Sequence, residues 1–257
     1  MKIGSTDTIT ENGFTAPENL NSYPQSQGHT QWPGSGTRGD PIFEAFMASI
    51  LPLTSNSRSQ ELSMRSAGCK LLSMIGAQSY LISHSAGGTY AALMSDECPD
   101  LIKGSINIEP GNVPFQSLIG NSTVPSVGYS PSRPCGLTNT PLTYDPPIAD
   151  CSELESVEVG QDTLAHRSCY LQTRPVRQLP NLARVPYMML TGSASPHITY
   201  DHCTIDFLEQ AGVKTDWIKL GEIGIEGNGH FLHLEKNNLK IAAVVDSWIT
   251  KNQWSAW

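Results

Sequence analysis

Tyr80-Leu81-Ile82-Ser83-His84-Ser85-Ala86-Gly87-Gly88 starts as a short apolar run, crosses a cluster of small residues and leads into a helical stretch reaching about Asp96. The spacing therefore predicts strand, sharp turn and helix. A serine on such a turn leaves its hydroxyl exposed at the sheet edge. Small residues two before and two after it let the backbone turn that tightly. Here those positions hold Ser83 and Gly87, one residue away from the G-x-S-x-G pattern, and Ser is small enough for the turn. The amide of Ala86, at the start of the helix, suits a developing oxyanion. The plainer alternative is a small-residue turn in an ordinary β–α unit.

A serine hydroxyl is a weak nucleophile and needs a base and an orienting acid. In hydrolases built on this turn the chain order is Ser, acid, His, which sets aside His29, while His84 lies inside the turn itself. Gly227-Asn228-Gly229-His230 reads as a loop just before the final helix, and its glycines suit a segment that delivers a side chain to a site. His230 is the favoured base and His233 the alternative. Two carboxylates compete as the acid. Glu109 ends the strand that follows, 24 residues after Ser85, and a strand-end carboxylate projects into the crevice where open α/β sheets bind ligands. Asp201, in Thr199-Tyr200-Asp201-His202-Cys203, follows the next strand and could instead cap a helix. Asp206, Asp216 and Glu226 read as solvent-facing charges.

Outward from this centre, residues 1–40 are polar and turn-rich, with little regular structure expected. A short helix is expected over Pro41–Leu51 and a longer one from about Gln60 to Met74, with Leu62, Met64, Ala67, Leu71, Leu72 and Ile75 as its apolar face. A second strand ends at Glu109-Pro110. Residues 112–180, rich in Pro, Gly, Ser and Thr, read as a lid or cap excursion with a short helix or two. Strands follow at Val185–Leu190 and Thr215–Leu220, with a helix from about Cys203 to Gln210. A last helix over Asn237–Thr250 is expected to turn Leu239, Ala242, Val245, Trp248 and Ile249 inward. The alternation predicts one α/β domain over 1–257, built on a mostly parallel sheet covered on both faces.

The 257 residues carry a formal net charge of −8, which argues against nucleic acid as partner. No run approaches the length of a membrane span, and the first residues do not read as a secretory signal. The six cysteines form no C-x-x-C pair, no H-x-x-x-H or carboxylate cluster occurs, and neither metal nor organic cofactor is expected. Cys135 and Cys151 bracket a Pro-rich loop that a staple would suit; otherwise the pairing stays open. Asn121-Ser122-Thr123 is a possible glycosylation sequon.

Gln31-Trp32-Pro33-Gly34, Gly39-Asp40-Pro41-Ile42-Phe43, Ser83-His84-Ser85, Ile108-Glu109-Pro110-Gly111, Tyr200-Asp201-His202-Cys203 and Gly227-Asn228-Gly229-His230 together resemble one branch of the α/β-hydrolase superfamily, the bacterial and fungal esterases related to esterase 713. The resemblance covers nearly the whole chain and keeps the motifs in order. It implies Ser85 as nucleophile, Glu109 as acid and His230 as base, acting on a small-molecule ester or similar acyl bond, with Asp201 structural. It also implies that the front of the fold is missing. The sheet would then be incomplete, the nucleophile strand would lie at an edge, and the amide of Ala86 would lack its usual partner, a loss of about 100- to 1000-fold in rate. The rival expectation is a weakly active or non-catalytic fragment or binding protein of the same fold.

Overall fold

A computed structural model describes residues 2–3, 6–51, 53–54, 56–118 and 129–253, so the sequon at 121–123 lies outside the described residues. Helices α1 (Pro41–Ser49) and α2 (Ser57–Ile75) precede strand β1 (Ser79–Ser85), helix α3 (Gly87–Glu97) and strand β2 (Ile102–Pro110). After the excursion come β3 (Tyr187–Thr191), α4 (Asp201–Gln210), β4 (Thr215–Lys219) and α5 (Asn238–Gln253). The four strands form one parallel sheet in the order β4-β3-β2-β1. This is the α/β class expected, with β1 at an edge.

Strand β3 shows why both faces must be covered. All five of its residues are buried, and successive side chains serve opposite layers. Tyr187 and Met189 pack with Leu93, Ile205, Phe207 and Leu208 of the α3 and α4 layer. Met188 and Leu190 join Ile106, Ile241, Val245 and Trp248, so α5 covers the other face. Near-continuous apolar runs are what a doubly covered parallel strand requires.

Two helices present different faces from those expected. On α2 the buried residues are Glu61, Gly68 and Leu72, whereas Leu62, Leu71, Met74 and Ile75 are all at least half exposed. The inward face uses a glycine and a carboxylate, which a hydropathy pattern does not register. A Cβ on Gly68 would collide with the Met94 side chain, so the glycine lets α2 lie close against α3. Glu61 accepts from the amides of Asn139 and Thr140 and from both side chains, pinning the helix to the excursion. On α5, Ile241, Val245 and Trp248 point inward while Leu239 is 81% exposed and Ala242 is also outside.

The excursion is not a detached lid. Val113, Phe115, Leu137, Leu142, Tyr144, Leu154 and Leu179 are buried, most of them in the same core as β3. Where a short helix or two was expected, its described residues carry antiparallel pairs (Gln116–Leu118 with Tyr129–Pro131, Ser156–Val159 with Cys169–Gln172) and a 3-10 turn at Cys151–Glu153. Disulfides join Cys135 to Cys151, Cys169 to Cys203 of α4, and Cys69 of α2 to Cys98 after α3. The N-terminal 40 residues, expected to be irregular, form successive short helical turns between Asp7 and Gly28. No helix among the described residues is long and apolar enough to cross a membrane.

Candidate active site

At the end of β1 the backbone of Ser85 adopts φ 53°, a left-handed conformation rarely taken by a residue with a side chain. The chain then enters α3 directly, with Ala86 capping the helix and exposed. The serine at position 83 is accommodated because its hydroxyl donates to Asn107 Oδ1 at 2.9 Å on the neighbouring strand. Ser85 O accepts the amide of Gly111 at 2.7 Å, which ties the turn to the end of β2.

Glu109, near the end of β2, is fully buried and also left-handed, with φ 44°. Its Oε1 accepts the Gly192 amide at 2.7 Å, and its Oε2 accepts Ser195 Oγ and His230 Nδ1, each at 2.7 Å. Gly192 must lack a side chain, since a Cβ there would stand 2.6 Å from Asn228 O. Burial pushes the Glu109 carboxyl up, and three donors favour its ionised form against that cost. Burial first, then His197 and His233, hold His230 well below the usual imidazole range, so the ring is neutral. With Nδ1–H given to Glu109, the lone pair of His230 lies on Nε2.

Three further rings fix that imidazole. His197 stacks on it in parallel, 4.8 Å between centroids and 4° between planes, and Phe14 lies 5.0 Å away. His84, inside the turn, lies 4.6 Å from it and donates from Nε2 to the His230 carbonyl at 2.9 Å. Burial pushes the His84 ring down to about 3, so it too is neutral.

The structure thus brings Glu109 to His230 and leaves the alternatives elsewhere. Asp201 is buried, but its carboxylate takes His197 Nδ1 at 2.7 Å and Thr191 Oγ1 at 2.6 Å, and is not bonded to His230. It stands inside α4 as the first residue and does not cap the helix, that place being taken by Tyr200. His233 is exposed and edge-on to His84 at 4.5 Å. Gly192, Ser195 and His197 escaped sequence reasoning because each acts through a contact with no local motif, while His84 was weighed only as a base.

Of the known proteins compared with the chain, the "Probable secreted lipase phiG" of Fungal sp. (strain ATCC 74256) is 38% identical over 250 residues, 97% of this chain. The chain spans 66% of that relative's length. No family model matches the chain. Among solved structures, a novel bacterial esterase is similar with 17% identity and a TM-score of 0.45, over 82% of this chain and 50% of that one. A monoacylglycerol lipase from Paleococcus ferrophilus is similar with 14% identity and a TM-score of 0.42, over 75% and 76% respectively.

Two groups of potential metal ligands occur among the described residues. In one, the sulfurs of Cys169 and Cys203 are bonded to each other, leaving His202 without a thiolate beside it. In the other, Glu109, His197 and His230 have their Nδ1 and carboxylate atoms committed to the hydrogen bonds above. A polar cavity of about 130 Å³ opens beside Ala86, lined by Ser57, Thr89, Tyr90, Gly111 and Arg133 among others. A larger apolar hollow of about 390 Å³ lies between Ile82 of β1 and the α5 residues Leu239, Ala242 and Ile249.

Proposed function

We propose that this chain is a serine hydrolase that cleaves a carboxylic ester or similar acyl bond. Ser85 Oγ attacks the acyl carbon while His230 Nε2 accepts its proton. Glu109 holds the tautomer and stabilises the imidazolium that forms. The Ala86 amide, at the positive end of α3, donates to the oxyanion. His230 returns the proton to the departing alcohol, and water then releases the acyl group by the same steps in reverse. The observation carrying this reading is the 2.7 Å contact between buried Glu109 and His230, with Ser85, left-handed between strand and helix, at the end of the strand paired with that of Glu109. The lipase name of the 38% identical relative supports it.

The test is labelling with a fluorophosphonate, read by intact mass, on the chain and on Ser85→Ala. A single adduct that the substitution abolishes is expected; a folded chain that takes no adduct would remove the catalytic reading. A weakly active form of the same fold is favoured by one observation, the edge position of β1, where Ile82 is 61% exposed. Slow labelling confined to Ser85, with little turnover of p-nitrophenyl acetate, is the outcome for that form.

A further inference from the structure

The loop that carries His230 is gripped from the opposite end of the chain. Thr30 N and Gln31 N both donate to Gly227 O, at 3.0 and 3.2 Å, and Lys236 N donates to Gln31 O at 2.9 Å. Residues 29–31 therefore bracket the loop on both sides of His230. Between these backbone bonds stands His29, itself 5% exposed. Its Nδ1 is 2.7 Å from Glu18 Oε2, and its Nε2 is 2.9 Å from Glu235 Oε1. Glu235 is 1% exposed and accepts the Gly229 amide at 2.9 Å and Asn228 Nδ2 at 2.6 Å. Asn228 O in turn accepts the Ala194 amide, next to the Ser195 that donates to Glu109. A row of bonds thus runs from Glu18 through His29 and Glu235 to the two residues immediately before His230.

We infer that His29 is a positioning residue for His230: held between Glu18 and Glu235, it fixes the loop that presents the imidazole to Glu109 and Ser85. This rests on the serine-hydrolase reading above for its catalytic consequence, and on the loop geometry alone for its structural one. Both ring nitrogens face carboxylates, so the bonded form is the imidazolium, which donates from both. The two carboxylates outweigh burial and raise the ring to about 9. The charged groups facing the ring are Glu18 from the N-terminal segment and Glu235 from the loop. Tyr23, within range of the same carboxylates, stays neutral, pushed well up chiefly by burial, and its hydroxyl donates to Ala194 O at 3.0 Å. Above about pH 9 the ring keeps one proton and one of the two bonds is lost.

A neutral glutamine at position 29 spans one carboxylate and not both. Small displacements of a reacting group cost up to about 100-fold in rate, so His29→Gln is expected to lower kcat on p-nitrophenyl acetate by about 10- to 100-fold per fluorophosphonate-titratable site, with KM little changed. The parent chain is expected to lose kcat as pH rises through about 9, and this alkaline fall should be absent from the variant. Hydrogen exchange at the Gly229 amide, measured in parallel, should be fast in His29→Gln and should quicken in the parent above pH 9. Glu18→Gln, which leaves the bond to Glu235, should lose less on both counts. A variant with unchanged kcat per titrated site and unchanged Gly229 protection would overturn the inference, as would one that is merely less heat-stable with both readouts intact. If the parent neither reacts nor turns over ester, the hydrolase reading has failed, and the Gly229 exchange still decides whether His29 holds the loop.

Discussion

Left-handed backbone at both Ser85 and Glu109 stores about 1–3 kcal/mol at each, a cost that persists only where the surroundings hold it in place. Here the holding bonds are short and buried, from Gly111 N to Ser85 O and from Gly192, Ser195 and His230 to Glu109. Because the His230 imidazole is held well below 6.5, protonation should not begin to remove the base until well into the acid range. The kcat/KM for a neutral ester should therefore stay on its plateau at pH 6.5, where an ordinary imidazole is half protonated; a half-loss there would contradict the burial argument. Glu109→Gln should lower kcat about 10⁴-fold, as the tautomer is no longer enforced. Asp201→Asn disturbs the His197 and Thr191 contacts but not the bond between Glu109 and His230, and should cost far less activity in the same assay. His29 has the opposite sign: its pKa is raised, so its stabilisation is complete below about pH 6.5 and is lost as pH rises through about 9. The rise corresponds to roughly 3 kcal/mol, to be read as a lower urea midpoint at pH 9.5 than at pH 6. Ser85, Glu109 and His230 could be singled out as candidates because each sits on a small-residue turn, a strand end or a glycine loop. His29 was read only as a residue out of order for a base. Its partner Glu235 lies 206 residues away, and no local pattern announces such a pair.

At the scale of elements, the strands and helices fall within a few residues of their sequence-expected places, since period and punctuation are local properties. Which face a helix buries is not local. α2 turns Gly68 and Glu61 inward because α3 comes too close for a side chain at the first and the excursion supplies donors for the second. Filling that approach with Gly68→Val should cost about 1–3 kcal/mol by overpacking. Leu71→Ala, on the face that hydropathy would have buried, should fall within about 0.5 kcal/mol of the parent; chemical denaturation of the two variants separates the readings. The packing of the excursion into the core was not foreseen for the same reason. Its composition is that of a loop, yet its scattered Val, Phe, Leu and Tyr residues are enough to complete the core against β3 once two disulfides gather them.

At the scale of the molecule, several large apolar side chains among the described residues are left uncovered. Leu71, Met74 and Ile75 of α2, Ile82 of the edge strand and Leu239 of α5 are all more than half exposed, and the hollow of about 390 Å³ lies between Ile82 and α5. Edge strands with apolar side chains invite association. The folded chain should enhance the fluorescence of an apolar dye such as ANS, and Ile82→Lys should reduce that signal; a dye response equal to that of a well-covered protein would show the surface to be closed. The bracketing of the His230 loop by residues 29–31 also sets a schedule for synthesis. A chain emerging from the ribosome exposes Ser85 early and Glu109 soon after, but the histidine follows Glu109 by 121 residues and Glu235 comes later still. On the serine-hydrolase reading proposed above, a nascent chain stalled before residue 235 should hold Ser85 without its positioned histidine and should take no fluorophosphonate adduct.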